Sequence, residues 1–271
     1  MRTGVDVGGT FTDVVAWDGR RLATGKVPTT PDQSEGVASG VAEVSGSAGV
    51  LLHGTTAATN ALLERRGART VLVADEGFED LIEIGRQDRP SLYDGSRTRP
   101  QPLAPRDMRL GLAGRSLPGG SQSGPSPALD EVARRVAELR PEAIAVSLLY
   151  SFEDPERERA LGRELSRLFG GDVALSLSSE VVAEFREFER ASTTLVNAYL
   201  LPVVSRYLAS LTDRSESLGV EGALRVMRSS GGLIDAAEAA RLPAAILLSG
   251  PAGGVVAATA LGKALGHDHL V

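Results

Sequence analysis

The sequence predicts an α/β fold built on a mixed β-sheet. The chain opens with strand-forming segments on either side of Gly8-Gly9, which predicts an antiparallel β-hairpin. After about residue 49, short apolar segments alternate with helical patterns, as in strand–helix–strand units. With 271 residues, 42% of them hydrophobic, the chain is long enough for a substantial core and favours two domains over one.

The first third of the chain consists of short elements separated by turn residues. Thr29 to Asp32 introduce a helix that runs to about Val44, and Gly67 ends the second helix. The predicted series is a hairpin in residues 5–15, a strand in 21–27, a helix to about 44, a strand in 49–52, a helix in 57–66, a strand in 70–74 and a short helix near 81.

Residues 86–126 differ from the rest, because they are rich in Pro, Gly, Ser and Arg. We expect an irregular segment there, with a mobile loop at residues 119–125. Further on, Pro202 predicts a kink or break in a long helix. The predicted series is a helix in 129–140, a strand in 143–149, helices in 155–169 and 191–218 with a strand in 173–177 between them, a strand in 224–227, a helix in 236–241 and a last helix to about 265.

The opening hairpin, Asp6-Val7-Gly8-Gly9-Thr10-Phe11-Thr12-Asp13, carries the groups of a phosphate site. Glycines let the backbone approach a bulky anion, and amides and the hydroxyls of Thr10 and Thr12 can donate to it. A carboxylate beside a phosphate is repulsive unless a cation lies between them, so Asp6 implies Mg²⁺. The segment therefore predicts a nucleotide-phosphate and metal site, although an ordinary hairpin turn explains Gly-Gly-Thr equally well.

Three further turns follow predicted strands and are rich in small and hydroxyl residues. The first, His53-Gly54-Thr55-Thr56 with Asn60, could bind an anion or a polar substrate, or simply cap a helix. His53 is either an acid/base group or a satisfied loop histidine. The other two, residues 229–232 and 249–254, could line an anion pocket, but taken separately an ordinary turn and a close helix crossing explain them better.

Two charged segments are candidates for different roles. Arg86 could clamp a substrate carboxylate or carbonyl group through two hydrogen bonds, although a surface arginine is the commoner case. The run from Glu184 to Arg190 is most simply a solvated helix face with local ion pairs.

Composition and motif searches exclude several function classes. A net charge of −6 without a basic block does not favour nucleic-acid binding, and the absence of cysteine excludes thiolate chemistry and disulfides. The sequence has no Walker-type loop and no Gly-x-Ser-x-Gly elbow, and His267 with His269 do not form a metal site. No signal-peptide pattern or membrane-spanning segment is evident, so we expect a cytoplasmic protein.

Five motifs occur together, in an order and at spacings that resemble the N-terminal part of the hydantoinase A / 5-oxoprolinase / acetone carboxylase family. They are Asp6-Val7-Gly8-Gly9-Thr10-Phe11-Thr12-Asp13, His53-Gly54-Thr55-Thr56-Ala57-Ala58-Thr59-Asn60-Ala61, Glu83-Ile84-Gly85-Arg86-Gln87, Glu187-Phe188-Glu189-Arg190-Ala191-Ser192-Thr193-Thr194 and Ser249-Gly250-Pro251-Ala252-Gly253-Gly254. Each motif alone is weak, but the combination is specific and covers essentially the whole chain.

The resemblance implies an actin/sugar-kinase-like, ribonuclease-H-like fold in which two lobes bind ATP between them. The first domain would occupy residues 1–180, and residues 181–271 would begin the second. The implied activity is ATP- and Mg²⁺-dependent opening of a cyclic amide, such as hydantoin or 5-oxoproline, through phosphorylation of a carbonyl oxygen. An acetone carboxylase-type subunit and a non-catalytic, partner-binding remnant are alternatives. A kinase-like transferase is disfavoured by the segments at residues 53–56 and 83–87.

The resemblance also assigns roles to individual residues. Asp6, Asp13 and His53 would be catalytic, with Asp6 next to the metal. The phosphate-binding residues would be Gly8, Gly9, Thr10, Phe11 and Thr12. The candidate substrate contacts would be Thr55, Thr56, Asn60 and Arg86.

The chain departs from the family pattern at Val271, where family members continue into a second Asp-x-Gly-Gly-Thr hairpin. We expect either a fragment or a protein whose second half is another polypeptide, with weak ATP binding and little turnover by the 271-residue chain alone. The expected partners are a small cyclic amide or ketone and a B-type hydantoinase subunit, and a homo-oligomer is a further possibility.

Overall fold

The computed structural model describes residues 1–46, 48–88, 90–124, 128–217, 219–220, 224–267 and 269. The chain divides into two compact units, the first formed by residues 1–66 together with 203–271 and the second by residues 67–202. The domain boundary near residue 180 that the sequence suggests follows family motifs rather than spatial contacts, and it stays a prediction.

Helices and strands are distributed along the whole described chain. The elements up to residue 66 are β1 (Arg2–Val7), β2 (Phe11–Trp17), β3 (Leu22–Pro28), α1 (Gln33–Val44), β4 (Val50–Thr55) and α2 (Ala57–Leu63). Those that follow up to residue 186 are β5 (Thr70–Asp75), α3 (Leu81–Ile84), β6 (Arg109–Leu112), β7 (Arg115–Ser116), β8 (Gln122–Ser123), α4 (Leu129–Glu138), β9 (Ala143–Ser147), α5 (Glu156–Phe169), β10 (Ala174–Leu177) and α6 (Ser178–Val181). The last are α7 (Glu187–Ser217), β11 (Leu224–Met227), β12 (Leu233–Asp235), α8 (Ala236–Arg241) and α9 (Ser249–Leu265), and short 3₁₀ helices occur at Arg106–Met108, Pro118–Gly120 and Pro243–Ile246.

The first unit is built on a mixed sheet whose described strands have the order β12-β11-β4-β1-β2-β3. The strand β4 is parallel to both β1 and β11, whereas the pairs β1–β2, β2–β3 and β11–β12 are antiparallel. The predicted hairpin and the predicted mixed sheet are therefore confirmed. The order places β1, the strand that carries Asp6, between β4 and β2.

Alternation along the strands gives this sheet two chemically different faces. Val5 in β1 and Val14 in β2 are buried, and α1 packs over β2 and β3. The side chain of Asp6 lies on the opposite face, because successive residues of a strand point to opposite sides. A Cβ atom at Gly40 of α1 would lie only 2.7 Å from Val14 and 3.3 Å from Val27, so the close approach of helix and sheet requires glycine there.

The second unit is built on a parallel sheet whose described strands have the order β10-β9-β5-β6. Every residue of β5 and β9 is buried, which is typical of parallel strands that are covered on both faces. Side chains from α4, α5 and the first half of α7 complete the core, among them Val136, Leu161 and Leu195. Gly170 ends α5 in the left-handed conformation, with φ of 59°.

Paired charges fill the carboxyl edge of this parallel sheet. Asp75, at the end of β5, accepts a hydrogen bond from Arg157 at 2.8 Å and another from the amide of Leu149 at 2.6 Å. Glu158 accepts from the Leu148 amide at 2.9 Å and from the Ser178 hydroxyl at 2.6 Å. These side chains are buried, and their partners come from α5, from the start of α6 and from the segment that follows β9.

Arg190 corrects the prediction of a solvated face between residues 184 and 190. Its side chain is fully buried, and the guanidinium donates to the carbonyls of Glu184 at 2.7 Å and Leu148 at 2.9 Å. It also donates to the Ser178 hydroxyl and pairs with Glu187. The charge pattern predicts local ion pairs for Arg190. It cannot predict the backbone carbonyls that accept from the guanidinium in the folded chain.

Two other predictions about local structure were wrong in part. The segment expected to be irregular contains β6, a strand of the parallel sheet, and Gln122–Ser123 within the expected mobile loop form β8, which pairs with β7; Pro125 itself is outside the described residues, and the mobility of the loop stays a prediction. The helix α7 runs from Glu187 to Ser217 without a break at Pro202, and the alternative of a kink there stays a prediction. Residues 270 and 271 are also outside the described part. No helix in the described residues is long and apolar enough to span a bilayer.

Candidate functional site

The loop of the β1–β2 hairpin contains Gly8 and Gly9, and neither residue has a backbone conformation that only glycine can adopt. The amide of Gly8 donates to the carbonyl of Phe11 at 3.0 Å and closes the turn, and Gly9 and Thr10 are exposed. Neither glycine has a positive φ, unlike the glycines of the common two-residue hairpin turns. A Cβ atom at Gly9 would meet no protein atom within 4 Å. Neither the turn conformation nor the packing of the hairpin therefore requires glycine at position 9.

Thr29 orients the peptide groups of this loop. Its amide donates to the carbonyl of Thr10 at 2.9 Å and its hydroxyl donates to the carbonyl of Gly8 at 3.0 Å. Two loop carbonyls are thus held toward Thr29. In the described part of the chain, no hydrogen bond uses the amides of Gly9 and Thr10, so these two N–H groups remain available to an anion. In the sequence, Thr29 is recognisable only as a turn residue.

The other two predicted phosphate ligands of the hairpin are placed differently. Thr12 is fully buried, and its hydroxyl lies 3.2 Å from that of Thr29. The structure therefore gives Thr12 a supporting position under the loop rather than an exposed hydroxyl. Phe11 is 47% exposed, and the ammonium group of Lys26 lies 5.2 Å from the centre of its ring.

Asp6 and Asp13 face each other across the hairpin, on the same side of the sheet. They are direct partners in the β1–β2 register, and Asp13 is in turn the partner of Lys26 on β3. Partial burial and the charge of Asp13 raise the pKa of Asp6 above its usual value. Like charges directly opposite each other destabilise a hairpin. Lys26 relieves part of this repulsion through a salt bridge of 2.6 Å to Asp13.

Asp6 borders a cavity of about 440 Å³ that lies within the first unit. Its walls include Asp13 and residues from the start of α9, among them Gly250, Gly253 and Gly254. A Cβ atom at Gly54, the partner of Asp6 on β4, would lie 2.7 Å from an Asp6 carboxylate oxygen, and one at Gly250 would lie 4.0 Å from it. Glycine at position 54 therefore leaves the Asp6 carboxylate free in the cavity.

A hydrogen bond holds the N-terminus of α9 beside the Asp6 carboxylate. The buried hydroxyl of Ser249 donates to the carbonyl of Thr55 at 3.0 Å, which ties the first residue of α9 to the end of β4. The first turn of a helix presents free amides and a partial positive charge, which favour anions. Ser249, Gly250, Gly253 and Gly254 line the cavity, which supports the pocket alternative for this segment; its role toward an anion stays a prediction.

The groups around Asp6 fit a magnesium ion that carries a phosphate chain. Mg²⁺ is usually held by one or two carboxylates together with substrate phosphates and water, and Asp6 offers an accessible carboxylate with an elevated pKa. Free amides of the hairpin loop could bind the phosphate oxygens. The described residues contain no cluster of three or more His, Cys, Asp or Glu side chains that could hold a metal ion.

His53 is among the residues that line this cavity, but its side chain points away from it, which speaks against its prediction as a catalytic group. It pairs with Val5 in the β1–β4 register, so its side chain lies on the face opposite Asp6. The ring is 1% exposed and its Nε2 atom lies 2.7 Å from the hydroxyl of Tyr207 on α7. Burial lowers the pKa of His53 to about 4. The histidine is therefore neutral at pH 7 and belongs to the core.

Thr55, Thr56 and Asn60 bind one another and nearby backbone. The Thr55 hydroxyl is buried and accepts from the amide of Ala57 at 3.1 Å. The Thr56 hydroxyl donates to the carbonyl of Val7 at 3.1 Å and accepts from Asn60 at 3.3 Å. Only the Thr55 contact supports the capping alternative, because Thr56, the N-cap residue of α2, makes no side-chain capping bond. The predicted role of the three residues in substrate binding stays a prediction.

Arg86 lies in the second unit with an exposed guanidinium. Its side chain is 62% exposed and pairs with Glu189 at 2.8 Å, while its guanidinium carbon lies 5.4 Å from the ring centre of Phe188. An arginine held by one carboxylate and one aromatic ring keeps further donors for a ligand. Its predicted substrate contact stays a prediction.

The turn at residues 229–232 has a structural explanation. Gly231 and Gly232 both have positive φ, of 85° and 78°, so this turn requires glycine for its conformation. The hydroxyl of Ser229 accepts from the amide of Leu248 at 3.0 Å. The ordinary-turn explanation is the better one for this segment.

Comparison with known proteins identifies the family whose sequences this chain resembles. A model of the hydantoinase/oxoprolinase N-terminal region matches residues 2–169, and a hydantoinase/oxoprolinase model matches residues 190–271. An uncharacterised protein of Methanocaldococcus jannaschii is 35% identical over all of this chain and 41% of its own length. The caprolactamase subunit alpha of Pseudomonas jessenii is 32% identical over all of this chain and 41% of its own length.

Two solved structures share the fold. A nucleotide-free acetone carboxylase matches with a TM-score of 0.86 at 26% identity, over 98% of this chain and 41% of that one. The ATP-dependent caprolactamase of Pseudomonas jessenii matches with a TM-score of 0.83 at 29% identity, over 99% of this chain and 41% of that one. The predicted actin-like α/β fold is confirmed. The chain spans about 41% of the length of these relatives, and it belongs to the hydantoinase/oxoprolinase family.

Proposed function

We propose that this chain provides one side of a Mg-ATP site in an enzyme that activates cyclic amides for hydrolysis. The observation that carries the proposal is the hairpin loop, whose amides at Gly9 and Thr10 have no partner in the described chain, while its carbonyls at Gly8 and Thr10 are bound by Thr29. The loop lies at the end of the strands that carry Asp6 and Asp13. Amides, an accessible carboxylate and a glycine that the fold does not need are together what a metal-bound phosphate chain requires.

Each residue of the site would have a limited task. The amides of Gly9 and Thr10 donate to phosphate oxygens, and Asp6 holds the cation. The N-terminus of α9 adds positive potential on the other side of the cavity. Bound Mg-ATP would supply the phosphoryl group that turns an unreactive carbonyl oxygen into a good leaving group. The contribution of the protein is positioning and charge neutralisation, as in other phosphoryl-transfer sites.

The substrate class follows from the relatives. Proteins named caprolactamase and 5-oxoprolinase are 32% and 33% identical to this chain, and both names refer to cyclic amides. Arg86 is the predicted substrate contact with an exposed charge, and it would bind the carbonyl or carboxylate group of such a ring. Thr55, Thr56 and Asn60 would act through the shape of the β4–α2 turn.

A ketone-carboxylating subunit is the second candidate. The acetophenone carboxylase gamma subunit of Aromatoleum aromaticum is 33% identical over 98% of this chain, and the acetone carboxylase structure has a similar fold. Several of the relatives are named as subunits. We therefore propose that the complete enzyme contains a partner subunit, of the B type in the case of a hydantoinase.

Calorimetric titration of the chain with ATP, with and without Mg²⁺, tests the site. We expect binding that requires Mg²⁺ and little turnover by this chain alone. Absence of binding at millimolar Mg-ATP, or binding that is unchanged by removal of Mg²⁺, would contradict the proposal. ATP hydrolysis by the chain with its partner subunit, stimulated by 5-oxoproline, hydantoin, caprolactam or acetone, then separates amide opening from carboxylation.

A further inference from the structure

Lys26 belongs to the same row of side chains as the two carboxylates of the site. The registers of β4, β1, β2 and β3 place Gly54, Asp6, Asp13 and Lys26 side by side. Paired residues on neighbouring strands share a face of the sheet. The ammonium group therefore lies on the face that borders the cavity, 2.6 Å from an oxygen of Asp13.

The ammonium group keeps donors that the described residues do not use. A lysine has three N–H donors, and the structure shows one salt bridge for Lys26, to Asp13. The side chain is 56% exposed, so its remaining donors are accessible. Its position over the ring of Phe11, at 5.2 Å, limits the directions in which it can extend.

The choice of lysine at this position is unusual for this protein. Only Lys26 and Lys263 are lysines among 29 basic residues. An arginine would form a bidentate contact with Asp13, and its planar guanidinium would then be engaged by that carboxylate. Lysine is a compact point charge that can bind Asp13 and a phosphate oxygen at the same time.

The distances allow such a contact. Two strand spacings, about 9.6 Å in total, separate the backbones of β1 and β3, and the salt bridge brings the ammonium of Lys26 back over β2. A phosphate chain held through a metal by Asp6 would extend toward that position. An anion there would also reduce the repulsion between Lys26 and the metal.

We infer that Lys26 binds the terminal phosphate of the nucleotide and that Asp13 positions its ammonium group. This inference rests on the proposed Mg-ATP site. It gives Asp13 a defined task, since the carboxylate holds Lys26 in place. It also adds a cationic ligand to a site that the sequence analysis built from backbone amides.

The alternative is a purely structural ion pair between β2 and β3. Both partners are about half exposed, and such solvent-exposed pairs contribute little to stability. Replacement of Lys26 by glutamine should therefore leave the fold intact, which the urea midpoint of the variant would verify. A structural pair would affect all nucleotides equally, whereas a ligand of the terminal phosphate would not.

Calorimetric titrations with Mg-ATP and Mg-ADP decide between the two. For Lys26→Gln we expect about a tenfold loss of ATP affinity with ADP affinity nearly unchanged, and Lys26→Arg should restore little of the loss, because its guanidinium engages Asp13. Lys263→Gln, at an exposed position on α9, is the matched control and should bind both nucleotides like the unmodified chain.

Two results would overturn the inference. One is equal ATP affinity for Lys26→Gln and the unmodified chain, and the other is an equal loss of affinity for ATP and ADP. In both cases the unmodified chain still binds Mg-ATP, so the proposed site survives. If the unmodified chain binds neither nucleotide, the proposed function fails and this inference fails with it.

Discussion

Arg157 and Arg190 in the second unit are buried, and each donates to several carbonyl or carboxylate oxygens. In the first unit, Asp6 faces Asp13 across a hairpin, and the amides of the adjacent loop have no partner among the described residues. The carboxyl edge of an open parallel sheet is where ligands usually bind, yet in the second unit paired charges fill it. The comparison teaches that charged residues alone do not indicate a binding site. Polar groups without a hydrogen-bond partner in the described chain are the better indication.

The largest effect is expected from removal of a buried charge in the second unit. Arg190→Leu leaves Glu187 and the carbonyls of Leu148 and Glu184 without their donor. We expect a loss of about 3–5 kcal/mol in the free energy of unfolding, measured with urea. The control is Arg163→Leu, which removes an exposed pair with Glu156 and should cost less than about 1 kcal/mol. Equal losses would show that burial of Arg190 has no energetic consequence.

A buried group of the first unit gives the second prediction. The pKa of His53 is about 4 in the folded protein and about 6.5 in the unfolded chain. Between these values the unfolded state binds one more proton, so stability is complete above pH 6.5 and falls as the pH decreases. The expected slope is about 1.4 kcal/mol per pH unit, or about 3 kcal/mol in total by pH 4.

The variant His53→Gln isolates this contribution, because glutamine can still bond with Tyr207 but does not titrate. Unfolding free energies of both proteins should be measured from pH 4 to 7. Carboxylates whose pKa is lowered by folding, such as Asp32 and Asp80, contribute equally to both proteins and cancel. If both proteins lose stability in parallel down to pH 4, His53 is not a buried neutral group.

A smaller effect is expected from crowding of the Asp6 carboxylate. Gly54→Ala places a Cβ atom 2.7 Å from the carboxylate oxygen, whereas Gly4→Ala, on the same face of β1, meets nothing closer than 3.9 Å. We expect Gly54→Ala to lower Mg-ATP affinity about tenfold, or about 1.4 kcal/mol, by calorimetry. Gly4→Ala is the control and should bind normally. If the two variants have equal affinity, the position of Asp6 does not matter for binding.

The sequence predicted the fold where local patterns decide it. The hairpin around Gly8 and Gly9 and the strand at residues 70–74 follow from alternation, apolar runs and turn residues. The strand β6 could not be predicted in this way. It lies in a Pro- and Gly-rich segment and is held in place by its pairing with β5, which is a long-range contact.

The site was only partly predictable for the same reason. The motif identified the hairpin, Asp6 and Asp13, but the roles of Thr29 and Lys26 depend on pairing between β2 and β3. The motifs also group His53 with Asp6 as a catalytic residue, although the two side chains lie on opposite faces of the sheet. One residue of register decides which face of the sheet a side chain occupies, and the register places His53 beside Tyr207.

The most direct test of the account is the alanine variant of Gly9. No protein atom lies within 4 Å of a Cβ at Gly9 or at the control position Gly95, and neither residue has a positive φ. Both substitutions should therefore change the unfolding free energy by less than about 1 kcal/mol. Calorimetric titration with Mg-ATP should then show at least about a tenfold loss of affinity for Gly9→Ala and none for Gly95→Ala. Undiminished affinity in Gly9→Ala would contradict the claim that this loop binds the phosphates.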